Sequence, residues 1–74
     1  MDIRKKVGSR IKQLRDEKGL AQKDLAYDAN LDRSYIAGVE TGQRNISIRN
    51  IEKIALALQV SLKTFFDTDD FNDD

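Results

Sequence analysis

Apolar residues recur along this 74-residue chain at helical spacing, interrupted by residues that stop helices. Ile3, Val7, Ile11 and Leu14 step by four, four and three, which predicts a helix from Ile3 to Lys18 with Gly19 as its stop signal. Gln22, Leu25, Ala26 and Ala29 predict a second, shorter helix from Gln22 to Ala29. Asn30 follows, the residue type that, after glycine, most readily takes the left-handed backbone of a sharp turn. Asp32 is placed to cap a third helix, Arg33 to Thr41, with Ile36 and Val39 on its buried side and Gly42 closing it. Ser47 caps a fourth, Ile48 to Leu58, whose apolar face is Ile51, Ile54, Ala55 and Leu58. Gln59 and Val60 break it, and Ser61 caps a fifth, Leu62 to Phe66. The expected fold is all-α, a compact bundle of five helices. Phe65 and Phe66 lie roughly 100° apart on a helix, so both cannot enter one core, and one of them is expected at a partner surface.

The second and third helices are joined too tightly to do anything but cross at a steep angle, which is a helix-turn-helix pattern. With Ile36 and Val39 inward, the third helix leaves Arg33, Ser34, Ala37 and Gly38 outside. Arg33 stands near the N-terminus, where a recognition helix meets the major groove, and its fork matches O6 and N7 of guanine, a contact worth about 1–3 kcal/mol of discrimination. Ser34 can reach a base edge or act as a cap. Tyr35 lies beside the apolar face, with its hydroxyl within range of a phosphate oxygen. Gly38 costs a helix interior roughly 1 kcal/mol relative to alanine, for which close approach to a duplex, packing against another helix and simple tolerance are equal explanations. Ala21 is a poor cap, so Gln22 and the amides after it need an outside partner that a phosphate would supply. Arg44 and Asn45 lie beyond the far end of the third helix, where contacts to the DNA backbone are expected.

Charge changes the picture only when it is divided along the chain. The 13 basic and 13 acidic residues cancel, but Asp67, Asp69, Asp70, Asp73 and Asp74 fall in the last eight positions. Residues 1–66 therefore carry 13 basic and 8 acidic side chains and form the expected binding and dimerisation domain, with 67–74 an acidic tail that is either a frayed end or a negative arm. The basic residues of the first helix, Arg4, Lys5, Lys6, Arg10, Lys12 and Arg15, read mainly as a solvated face. With neither cysteine nor histidine, the chain lacks disulfides, thiolate sites, the commonest metal ligand and the commonest general base; no cofactor, metal or enzymatic activity is expected. The longest apolar run, IALAL, is far short of a membrane span, and the chain is expected in the cytoplasm of a bacterium or phage host.

Gln22, Ala26, Leu31, Ile36 and Val39 occupy the first, fifth, tenth, fifteenth and eighteenth places of a motif that resembles the lambda-repressor and Cro-like (XRE-like) family. More narrowly, LDRSYI, RNIS and the EKIALAL, VSL and FF stretches resemble the controller proteins of bacterial restriction-modification systems. The resemblance implies a homodimer on a near-palindromic operator, with two dimers on DNA and RNA polymerase as candidate further partners. It implies that Arg33, Ser34 and Ala37 read bases, that Gln22, Tyr35, Arg44 and Asn45 touch the backbone, and that Arg15 pairs structurally with Glu40. The implied dimer surface is Leu58, Val60, Leu62 and Phe65. An autoregulator of transcription is the expected role; a phage-type repressor or an antitoxin-like interaction module are the alternatives. Ala21 in place of the usual Ser or Thr cap, Asn30 in place of a turn glycine, and Gln59 where glycine is frequent are departures from the family pattern.

Overall fold

The computed structural model describes residues 2–72. Its helices are α1 (Ile3–Glu17), α2 (Gln22–Ala29), α3 (Arg33–Glu40), α4 (Ile48–Ala57) and α5 (Leu62–Phe66), followed by a 3-10 turn at Asp69–Phe71. Each predicted helix is present, with ends within one residue of those the apolar spacing implies.

Local chemistry sets those ends. Asp2 caps α1, accepting the Arg4 backbone N–H at 2.7 Å and pairing with the Arg4 guanidinium at 2.9 Å. Hydrogen bonding to Arg4 holds the Asp2 carboxyl well below the ordinary carboxylate range, at about 2. Asn30 ends α2 in the left-handed region at φ 57°, which lets the Leu31 N–H return to the Ala26 carbonyl at 2.9 Å. Gln59 repeats the device after α4 at φ 60°, and the Val60 N–H returns to Ala55 at 3.0 Å. Ser47 and Ser61 both cap as expected, through the backbone N–H groups of Asn50 and Thr64. Asp32 holds the N-cap position of α3, but its side chain makes no cap bond, and the helix start is left open to solvent.

Every helix contributes to one core. Val7, Ile11 and Leu14 meet Leu25, Ala26 and Ala29 of α2, Ile36 and Val39 of α3, Ile54, Ala55 and Leu58 of the α4 segment, and Phe65. Ile3, on the same stripe as Val7, is 60% exposed. Two expectations for the dimer surface are corrected here: Leu58 and Phe65 are both fully buried in this core and cannot face a partner. The left-handed residue Gln59 resets the chain direction, so α5 meets the core through Phe65 while Phe66 turns outward.

Two features of α1 that the apolar pattern does not reveal hold the bundle together. A side chain at Gly8 would collide with the backbone carbonyls of Val39 and Glu40, so glycine there lets α1 pass directly against the end of α3. Arg10, part of the face read as solvated, is instead buried: Nε and Nη2 donate to the Phe65 and Thr64 carbonyls, both at 2.7 Å, and Nη1 donates to Gln13 at 3.0 Å. It thereby ties α1 to the C-terminal end of α5, pairing the Phe65 carbonyl and adding a second donor to the Thr64 carbonyl, which also accepts the Asp67 N–H at 3.1 Å.

The acidic segment turns back on the fold. Phe71 is half-buried and meets Phe66 edge-on at 5.1 Å, while Phe66 in turn meets Phe65 at 4.9 Å. Asp73 and Asp74, the end of the expected acidic tail, lie outside the described residues.

Candidate nucleic-acid interface

The platform beneath α3 is a buried charge cluster. Arg15 donates from Nε and Nη2 to the two oxygens of Glu40 at 2.8 and 3.0 Å, and from Nη1 to the Leu20 carbonyl at 2.7 Å. The Gln22 side-chain nitrogen donates to Glu40 Oε1 at 3.1 Å. With Arg15 and Glu40 side chains only 10% and 4% exposed, this joins α1, the start of α2 and the end of α3 at one point. Hydrogen bonding to Glu40 raises the Arg15 pKa further above its ordinary value. The expected structural pair is therefore present, and Gln22 joins it.

From this platform α3 presents its outer face. Ile36 and Val39 are 0% and 1% exposed, which turns Arg33 and Ser34 to solvent and leaves Ala37 half-buried between. The Arg33 side chain makes no hydrogen bond or ion pair among the described residues, not even with the nearby Asp28 or Asp32. All five of its N–H donors are free.

A second group gathers around Tyr35, in the first turn of α3. Tyr35 is half-buried, and its hydroxyl accepts from Asn50 Nδ2 at 3.1 Å, with the Asn45 carbonyl at a long 3.5 Å. The Arg44 guanidinium lies over the Tyr35 ring, 5.2 Å from its centroid. Thus Tyr35, Arg44 and Asn45, all expected at the DNA backbone, are brought together, and Asn50 is added to them. Asn50 sits in the first turn of α4, three residues after the Ser47 cap; its polarity at an N-terminal position marks it only as a helix-start residue.

Gln22 begins α2 with one amide hydrogen spent on Glu40 and one left over. The backbone N–H groups of Gln22 and Lys23 have no partner among the described residues, while Asp24 accepts the Ala21 N–H at 3.1 Å. The start of α2 thus has the donors for a phosphate oxygen.

A protein-family model described as helix-turn-helix matches residues 11–65. This chain belongs to the helix-turn-helix family. Over 66 residues it is 41% identical to the control protein C.MunI of a Mycoplasma species, a match covering 88% of this chain and 89% of that one. The crystal structure of the restriction-modification controller protein C.AhdI from Aeromonas hydrophila superposes with a TM-score of 0.82 at 49% identity, covering 85% of this chain and 96% of that one. The controller protein C.Esp1396I, crystallised as a tetramer with its natural 35-base-pair operator, superposes at 0.84 with 47% identity over 89% of this chain and 87% of that one. In this chain α2 and α3 form the helix-turn-helix, and α1, α4 and α5 pack around the same core. Among the described residues no helix is long and apolar enough to cross a membrane.

Proposed function

We propose that this protein is a dimeric, sequence-specific DNA-binding regulator of transcription, the controller of a restriction-modification system, acting in the cytoplasm and without catalytic activity. The observation that carries this reading is Arg33: an arginine with every donor free, at the N-terminus of a helix locked in place by Arg15 and Glu40, in a chain 47% identical to a controller bound to its operator.

In this reading the guanidinium of Arg33 enters the major groove and pairs with a guanine, Ser34 and Ala37 lie against neighbouring base edges, and the remaining groups set the register. Gln22 and the α2 amides take one phosphate, and Tyr35, Arg44 and Asn45 take others. The two-fold partner lies against the α4–α5 face. There Leu56 is 71%, Leu62 44% and Phe66 38% exposed beside half-buried Val60, and Leu58 and Phe65 support them from below. Half-sites about one helical turn apart, roughly 34–36 Å, follow from a dimer that presents two such helices.

A gel-shift titration tests the reading with DNA from immediately upstream of this protein's own gene, a random duplex as control and two salt concentrations. Binding in dimer steps is expected, with a log-log salt slope of about 0.9 in magnitude per phosphate neutralised. Equal weak binding to both duplexes would overturn it in favour of a protein-interaction role.

A further inference from the structure

Gly38 sits in the middle of an eight-residue helix, where glycine weakens the helix relative to any ordinary residue. Its surroundings explain why. The chain leaving α3 doubles back on it: the Gly38 carbonyl accepts the backbone N–H groups of Gln43 at 2.9 Å and Arg44 at 3.2 Å, and the Thr41 hydroxyl at 3.1 Å. The aliphatic stem of Arg44 then fills the space a side chain would need, since a Cβ at Gly38 would lie 2.6 Å from both Cγ and Cδ of Arg44. The stem continues one turn back along α3, to place the guanidinium over Tyr35.

Tyr35 is held in its turn by Asn50, whose amide donates to the phenolic oxygen, while the phenolic proton is directed only at the Asn45 carbonyl at a long 3.5 Å, a weak bond that a phosphate oxygen can replace. The cation–π contact with the ring occupies no hydrogen-bond acceptor, and Arg44 makes no hydrogen bond or ion pair through its side chain among the described residues. Two groups able to donate to a phosphate are thus set side by side in the free protein.

We infer that Gly38 and Asn50 are positioning residues: Gly38 seats Arg44 on Tyr35, Asn50 fixes Tyr35, and together they preorganise a two-donor clamp for one stretch of DNA backbone. This rests on the DNA-binding reading above and assigns the glycine to Arg44 rather than to close approach of the duplex itself. Without the seat, a long side chain must be ordered when DNA binds, and that ordering weakens binding.

The test is a double-mutant cycle with a free-protein readout. Fluorescence anisotropy with the duplex from upstream of the protein's own gene compares wild type, Gly38→Ala, Arg44→Ala and the double variant. Gly38→Ala is expected to weaken binding ~3- to 10-fold when Arg44 is present and not at all when Arg44 is already alanine. Asn50→Leu is expected to behave in the same way towards Tyr35→Phe. In the free protein, the ring-current shift of the Arg44 δ-methylene protons is expected in wild type and lost in Gly38→Ala, while urea midpoints show that the variant remains folded. An equal loss of affinity from Gly38→Ala with and without Arg44 would overturn the inference, as would Arg44 proton shifts that Gly38→Ala leaves in place. If the wild-type protein ignores the duplex, the operator reading fails separately, and the δ-methylene shifts still decide whether Gly38 seats Arg44.

Discussion

Arg15 and Arg33 are the same residue type at two ends of one physical scale. Arg15 is nearly buried and spends its donors inside the protein, on Glu40 and the Leu20 carbonyl. Arg33 stands in solvent on α3 and spends none. Arg10 repeats the first pattern, on the carbonyls of Thr64 and Phe65, and Arg44 the second, with only its face laid on Tyr35. A buried charge must be fully paired or it destabilises the fold, so internal pairing marks an arginine as scaffold. Arg33 and Arg44 keep their donors unspent within the described residues, and in the DNA-binding reading proposed above those donors go to a partner outside the protein.

The widest gap between the two classes should appear in stability. Arg15→Ala leaves Glu40 buried without its counter-charge and is expected to cost about 3–5 kcal/mol, read from the urea midpoint by circular dichroism. That is most of what so small a domain has, at roughly 0.05–0.15 kcal/mol per residue. Arg33→Ala should leave the midpoint within about 0.5 kcal/mol of wild type. A loss of stability from Arg33→Ala comparable with that from Arg15→Ala would erase the distinction.

The next effect concerns DNA and should run the other way. Arg33→Ala is expected to remove about 1–3 kcal/mol of discrimination per half-site, measured as the ratio of affinities for operator and random duplex. Arg44→Ala should be milder: both duplexes weaken together, and the salt slope falls by about 1 for each phosphate that the variant no longer neutralises.

The smallest effect belongs to the exposed pair of Asp2 and Arg4. Because the folded carboxyl titrates at about 2 and its ordinary value is 3.8, the stability it contributes is present above that ordinary value and is lost as pH falls through the interval. Comparing acid unfolding of wild type and Asp2→Asn should show wild type slightly more stable near neutrality, with the difference shrinking as pH falls from 3.8 to about 2.

The helices were legible because each is short, amphipathic and bounded by a turn residue whose backbone preference is strong. Asn30 does adopt the left-handed backbone that its residue type suggests, and Ser47 and Ser61 do cap. What escaped is long-range. Arg10 is a buried cap because of carbonyls 54 and 55 residues away, which no local pattern of charge can announce. Leu58 and Phe65 look like candidates for a partner, yet both are core: Leu58 completes the apolar stripe of Ile54 and Ala55, and Phe65 packs inward from α5 after the left-handed turn at Gln59. The purpose of Gly38 depends on a side chain six positions later folding back on it, and Asn50 depends on a tyrosine of another helix. The pair of Arg15 and Glu40 was accessible only through family resemblance, since 25 residues separate them.

The most direct test of the central claim is the affinity of Arg33→Ala for the upstream operator and for a random duplex, at one fixed salt concentration. A protein that reads its operator through Arg33 loses its preference and binds both duplexes at the wild-type non-specific level, with its fold intact. Equal proportional losses on the two duplexes, with the preference retained, would contradict that role for Arg33.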